Sequence, residues 1–280
     1  MKLGVFTVML PDLTPEEGVQ EIQAAGYDGV EWRVTRVPVE RQGEAPSFWG
    51  NNLCTLEPTQ AEARRAHDLA DSAGLEIPNL GTYIGLGELD KVKAALAFAE
   101  AARSPHFRVG FGNFEGLYAE QFGAAQSFLE DVINLTTGSG VKPLVEIHHE
   151  TLTPSASLAQ RLLSRFSPDE IGVIYDAGNM VFEGFEDYRL GLELLGPYLA
   201  HVHLKNASFV NGGHGVWRAE WSPLEEGVVN FPKLLDAFKG VGYDGWLVVE
   251  DFSAARPSRE ALRYNLKFVK TLLAASPVSA

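Results

Sequence analysis

Cysteine is almost missing from this chain. Cys54 is the single one in 280 residues, so no intrachain disulfide can form and an oxidising compartment is not implied. Long apolar runs are missing too: nowhere do about eighteen apolar residues follow one another, so no membrane span is expected. The first residues enter a strand-like segment, Lys2 to Met9, too short for a signal-peptide core and without a small-residue cleavage site. A soluble cytoplasmic protein is the expectation. Basic residues are scarce, 23 against 37 acidic ones, for a formal net charge of −14. That balance disfavours general attraction to nucleic acid phosphates and leaves only a local basic groove as a route to them. No Gly-rich phosphate loop follows the first strand, where an open doubly wound sheet would usually carry one.

What is present is alternation. Strand-like Leu3 to Val8 precedes Thr14-Pro15-Glu16-Glu17, in which Thr is a helix N-cap, Pro takes the first helical position and Glu17 closes a capping box; Gly26 ends that helix. Strands follow at Gly29 to Arg33, Leu75 to Tyr83 and Phe107 to Phe111, with helices near 59–72, 88–102 and 118–135. The second half repeats the plan, with strands ending at Glu146, Asp176, Asn206 and Glu250 or Phe252. Its helices are expected near 156–166, 185–195, 231–241 and 258–273, and the tail from Ala274 to Ala280 is expected to fray. Gly-Tyr-Asp-Gly recurs at 26–29 and 242–245, each time between a helix end and a strand start. Eight strand–helix units over about 250 residues predict an α/β fold, a single closed (β/α)8 barrel over 1–280.

Such barrels work at the C-terminal ends of their strands. Glu146, Asp176 and Glu250 all end apolar strands, where an unpaired charge is costly. In His201-Val202-His203-Leu204 the two histidines share one face by the strand period of two. Carboxylates gathered without a cation repel and raise one another's pKa. A divalent metal at the mouth removes that conflict.

These residues resemble the xylose isomerase-like barrels, the sugar phosphate isomerase/epimerase superfamily that includes inosose dehydratases, ketose 3-epimerases, hydroxypyruvate isomerases and endonuclease IV. The resemblance covers essentially the whole chain. It is carried by Leu144-Val145-Glu146-Ile147-His148, Tyr175-Asp176-Ala177-Gly178-Asn179, His201 to Asn206, Leu224 to Phe231 and Gly242 to Glu250. It implies Glu146, Asp176, His203 and Glu250 as metal ligands, with Glu146 and Glu250 also the acid/base pair. It implies one divalent cation, Mn2+ ahead of Mg2+, Co2+ or Zn2+, and a small keto sugar or polyol as substrate. The implied reaction removes a proton α to a carbonyl through a metal-stabilised enediolate, as in isomerases and epimerases. A dehydratase starts with the same step.

Two positions depart from the relatives. Asn179 stands where ketose 3-epimerases and endonuclease IV have a histidine, and Phe209 stands where ketose 3-epimerases tend to have an arginine. Lys205-Asn206 resembles the pattern common among inosose dehydratase-like members. Substrate-contact candidates are His148, Asn179, Lys205 and Glu31, with Trp217 and Arg218 from the long 207–227 segment, read as a lid or binding loop. Glu31 has a salt-bridge alternative, Lys205 a solvated-loop alternative, and Trp217 with Trp221 an oligomer-contact alternative. His201 is read as lying behind His203, and Cys54 as a bystander. The competing functions are an endonuclease IV-like repair nuclease, which Asn179 and the acidic composition disfavour, and a non-catalytic sugar-binding barrel.

Overall fold

The computed structural model describes residues 1–275. In chain order the strands are β1 (Lys2–Phe6), β2 (Gly29–Val34), β3 (Thr55–Leu56), β4 (Leu80–Thr82), β5 (His106–Val109), β6 (Lys142–Glu146), β7 (Gly172–Asp176), β8 (Leu199–Leu204), β9 (Ala207–Asn211), β10 (Trp217–Trp221) and β11 (Trp246–Val249). The helices are α1 (Pro15–Ala25), α2 (Gln60–Ser72), α3 (Leu89–Ala102), α4 (Tyr118–Thr136), α5 (Ala156–Leu163), α6 (Ala177–Glu183), α7 (Tyr188–Leu195), α8 (Phe231–Gly240) and α9 (Ser258–Ala274). Strands β1, β2, β4, β5, β6, β7, β8 and β11 curl into a parallel (β/α)8 barrel with helices outside. The seam between β4 and β5 is closed by fewer, mixed bonds: Gly110 N–H donates to Ile84 O at 3.0 Å, and Arg108 Nε to Thr82 O at 3.0 Å.

Local chemistry sets the boundaries. The Thr14–Glu17 capping box forms as the sequence implies, and Gly26 ends α1 in the left-handed conformation at φ 96°. Asp176 both ends β7 and caps α6, its side chain accepting from Asn179 N–H, so a helix starts directly at the strand end. The helix expected over 185–195 is α7, and α6 precedes it as an additional one. Expected strand three pairs with β2 as a ladder only over β4, joined by an isolated Gly29–Glu76 bridge. The 207–227 segment is no irregular loop: β9 and β10 form an antiparallel hairpin. The expected frayed tail lies, from 276, outside the described residues.

Two local devices place the inward-facing side chains. The β7–β8 ladder slips by one residue between Val173 and Ile174, so that Asp176 and His203 become direct partners. Without that irregularity Val202 would stand beside Asp176, and both histidines would face the helices. At the barrel centre the Phe6 ring stacks on His203, with ring centroids 5.7 Å apart. Gly81 makes room for it, since a Cβ there would come within 2.0 Å of the Phe6 ring.

Candidate metal centre

Glu146, Asp176, His203 and the residue after β11, Glu250, converge at the C-terminal mouth of the barrel. One ligand atom from each lies within 4.8 Å of the others, and all four residues are buried. His203 Nδ1 is 2.9 Å from Glu146 Oε1, 3.5 Å from Glu250 Oε2 and 3.9 Å from Asp176 Oδ2. Its other nitrogen, Nε2, is 3.2 Å from both oxygens of Glu31.

Two cations complete the cluster. Lys205 Nζ pairs with Asp176 Oδ2 at 2.9 Å and with Glu250 Oε2, and donates to Asn179 Oδ1 at 3.3 Å. The ammonium faces the rings of Trp221 and Phe252, at 5.0 and 4.9 Å. Arg108 Nη1 donates to Glu146 Oε2 at 2.5 Å. Four buried carboxylates, Glu31 included, thus face Arg108, Lys205 and, when protonated, His203. With all four carboxylates ionised one negative charge is left over, and uncompensated buried charge costs several kcal/mol per ion, to order of magnitude. Exchanging the His203 proton for a divalent cation brings the sum to zero. Three carboxylate oxygens and one imidazole nitrogen are a donor set for Mn2+-, Mg2+-, Co2+- or Zn2+-like ions, so the residues fit such an ion.

The environments of the two glutamates differ. Burial works against charge on Glu146, but Arg108 and His203 overcome it and hold the carboxyl well below the usual range. Burial pushes Glu250 up to about 7, because Lys205 and His203 offset it only partly and the charges of Glu146 and Asp176 add to it. His203 is raised well above an ordinary imidazole: burial opposes this, and the Glu31 charge and the Glu146 hydrogen bond outweigh it. A cavity of about 350 Å3 opens onto these groups, lined in part by Trp49, Arg108, Glu146, His148, Lys205 and Glu250.

Residues 19–272 match the family described as the xylose isomerase-like TIM barrel. The chain belongs to that family. An inosose dehydratase of Lacticaseibacillus casei is 23% identical over 280 aligned positions, covering 90% of this chain and 88% of the relative. Among solved structures of the fold, the IOLI protein with a bound zinc atom superposes with a TM-score of 0.77 at 14% identity over the full length of both chains. A D-tagatose 3-epimerase-like protein does so with a TM-score of 0.71 at 17% identity, covering 98% of each chain.

Within this xylose isomerase-like barrel several side chains sit elsewhere than the sequence suggested. Glu31 does not reach the cavity; it is fully buried beneath His203, accepting from His201 Nε2 at 2.8 Å and Asn79 Nδ2 at 2.9 Å. Asn179 is likewise sealed off and acts as a bracket. Its backbone N–H donates to Asp176 Oδ1 and its Nδ2 to Asp176 Oδ2, both at 2.9 Å, and Nδ2 also to Ile147 O at 3.1 Å. Trp217 is 61% exposed on the hairpin, and Arg218 points along it to Glu220 Oε1 at 2.7 Å; neither lines the cavity. The hairpin reaches the site instead through Trp221, whose ring meets those of Phe182 and His149 at a tilt and that of Phe252 edge-on. Lys205 is a buried pocket cation, not a solvated loop lysine. His148 does line the cavity, its Nδ1 2.8 Å from His149 O. Asn206 faces away and clasps the next segment, its Nδ2 donating to Leu224 O and its Oδ1 accepting from Val229 N–H. Sequence reasoning passed over Arg108. The signal was there: a lone cation on the inward face of Phe107-Arg108-Val109.

Proposed function

We propose that this chain is a one-domain, cytoplasmic, divalent-metal-dependent isomerase or epimerase acting on a small keto sugar or polyol. The observation that carries the reading is the convergence of Glu146 and Glu250 on one cavity beside Asp176 and His203. A bound cation, Mn2+ by the donor set, would polarise the substrate carbonyl and spread the charge left when the α-proton departs. Glu146, held ionised by Arg108, takes that proton. Glu250, on the same cavity, returns one at the neighbouring carbon or on the other face. Lys205 Nζ donates to a substrate oxygen, and His148 lines the same cavity. Opposed carboxyl environments of this kind separate acid from base. Asn179 and Glu31 hold the ligands in place and do not touch substrate.

Dehydration is the second reading, favoured by the inosose dehydratase relative. It shares the first proton transfer and differs in losing a β-hydroxyl. Neither nucleic acid nor membrane enters either reading. The net charge of −14 opposes the first, and among the described residues no helix is long and apolar enough to cross a membrane. The exposed Trp217 and Phe209 leave homo-oligomer contact as the hairpin's use. The test is incubation with ketoses, inososes and 3-hydroxy-2-oxo acids in D2O with Mn2+. Metal-dependent deuterium uptake beside a carbonyl supports the reading, and loss of water from the same substrate marks the dehydratase. A metal-loaded protein inert across the panel contradicts both.

A further inference from the structure

Below the ligands lies a second buried group, Glu31 with His201 and His203, whose polar atoms also lie within 4.8 Å of one another. All three are fully buried. The spacing is that of hydrogen bonds: Glu31 Oε2 is 2.8 Å from His201 Nε2, and both its oxygens are 3.2 Å from His203 Nε2. Asn79 Nδ2 donates to Glu31 Oε1 from the far side. With three donors turned onto one carboxylate, a cation there would have to displace the protons that already satisfy it, so the group reads as an anion held by neighbours.

Its effect falls on His203. To serve as a ligand through Nδ1, the nitrogen facing Glu146, Asp176 and Glu250, a neutral imidazole must carry its proton on Nε2. An N–H buried without an acceptor costs about 1–3 kcal/mol, so the opposite tautomer would otherwise compete. Glu31 supplies the acceptor. His201 in turn fixes Glu31: its Nε2–H is spent on the carboxylate, and its Nδ1 has no hydrogen-bond partner, as fits a neutral ring whose one proton faces Glu31.

We propose that Glu31 is the positioning residue of the metal centre, a carboxylate clamped by His201 and Asn79 that holds His203 with Nε2–H inward and Nδ1 toward the ion. This rests on the metal-centre reading above. Partners of this kind behind a metal-bound imidazole typically affect affinity by about 10- to 100-fold.

The test is calorimetric titration of chelator-stripped wild type, Glu31→Gln and His203→Gln with Mn2+. Wild type should take one ion, His203→Gln should lose it, and Glu31→Gln should bind about 10- to 100-fold more weakly with unchanged circular dichroism. A folded Glu31→Gln protein binding within twofold of wild type overturns the role of Glu31 while leaving the metal centre standing. A wild type that takes no Mn2+ removes the centre and the inference together. Should Glu31→Gln not fold, nitrogen-15 histidine spectra of wild type loaded with Zn2+ decide. The His203 signal, identified by its loss in His203→Gln, should keep its proton on Nε2; a proton on Nδ1 overturns the proposal.

Discussion

Arg108 Nη1 lies 2.5 Å from Glu146 Oε2 with both side chains largely buried, whereas Glu250 shares its cation, Lys205, with Asp176. That asymmetry separates the two glutamates before any substrate arrives. Arg108→Met should therefore raise the acidic limb of the pH–rate profile, because Glu146 loses the guanidinium that keeps it ionised. Stability should fall by about 3–5 kcal/mol, the usual cost of stripping one partner from a buried pair. An unchanged acidic limb in a folded Arg108→Met enzyme would take the base role from Glu146.

Lys205→Met should lower the melting temperature of the metal-free protein sharply, since Asp176 and Glu250 then share a dry site without the ammonium. Mn2+ should restore more stability to this variant than to wild type, because the ion answers the same charge. Melting curves with and without Mn2+ check this; an equal metal increment in both proteins would mean that Lys205 carries no part of that compensation.

The pH dependence follows from His203, raised in the folded protein above its ordinary value of 6.5. A raised imidazole stabilises the fold fully below that ordinary value, and the contribution is lost as pH rises through the folded one. The half-buried His106, His148 and His149 and the buried His201 are shifted the other way and are neutral by pH 7. As pH rises above 6.5 the metal-free protein should therefore lose stability while its Mn2+ affinity rises, with protons released as the ion binds. Calorimetry in buffers of different ionisation enthalpy measures that release. Affinity that stays flat over this range would show that His203 gives up no proton to the ion.

Much of this was legible in the chain itself, for physical reasons. Glu146, Asp176 and Glu250 stand out because a carboxylate ending an apolar strand needs a partner, and the period of two in His201-Val202-His203 fixes a shared face. The pairing of Glu31 with His201 was not legible. They are 170 residues apart, and only barrel closure and the irregular β7–β8 register bring them together. Helix α6 escaped notice because Asp176 serves two elements at once, and the hairpin because its strands are largely exposed, although Trp217 to Trp221 alternates apolar and charged residues.

Gly178 offers a test of geometry alone. A Cβ at this position would lie 2.7 Å from the backbone and Cβ of Lys205, so α6 and the end of β8 approach as closely as glycine permits. Gly178→Ala should cost about 1–3 kcal/mol and weaken Mn2+ binding by shifting Lys205 and Asp176. A variant with wild-type stability and affinity would show that this contact is slack.

The central claim is that Glu146, Asp176, His203 and Glu250 together hold one divalent ion. Elemental analysis of protein purified without chelator, repeated on Asp176→Asn, tests it most directly. Close to one ion per wild-type chain is expected, with most of it lost in the variant. No bound metal in wild type, a full complement retained by Asp176→Asn, or about three zinc ions per chain would contradict it.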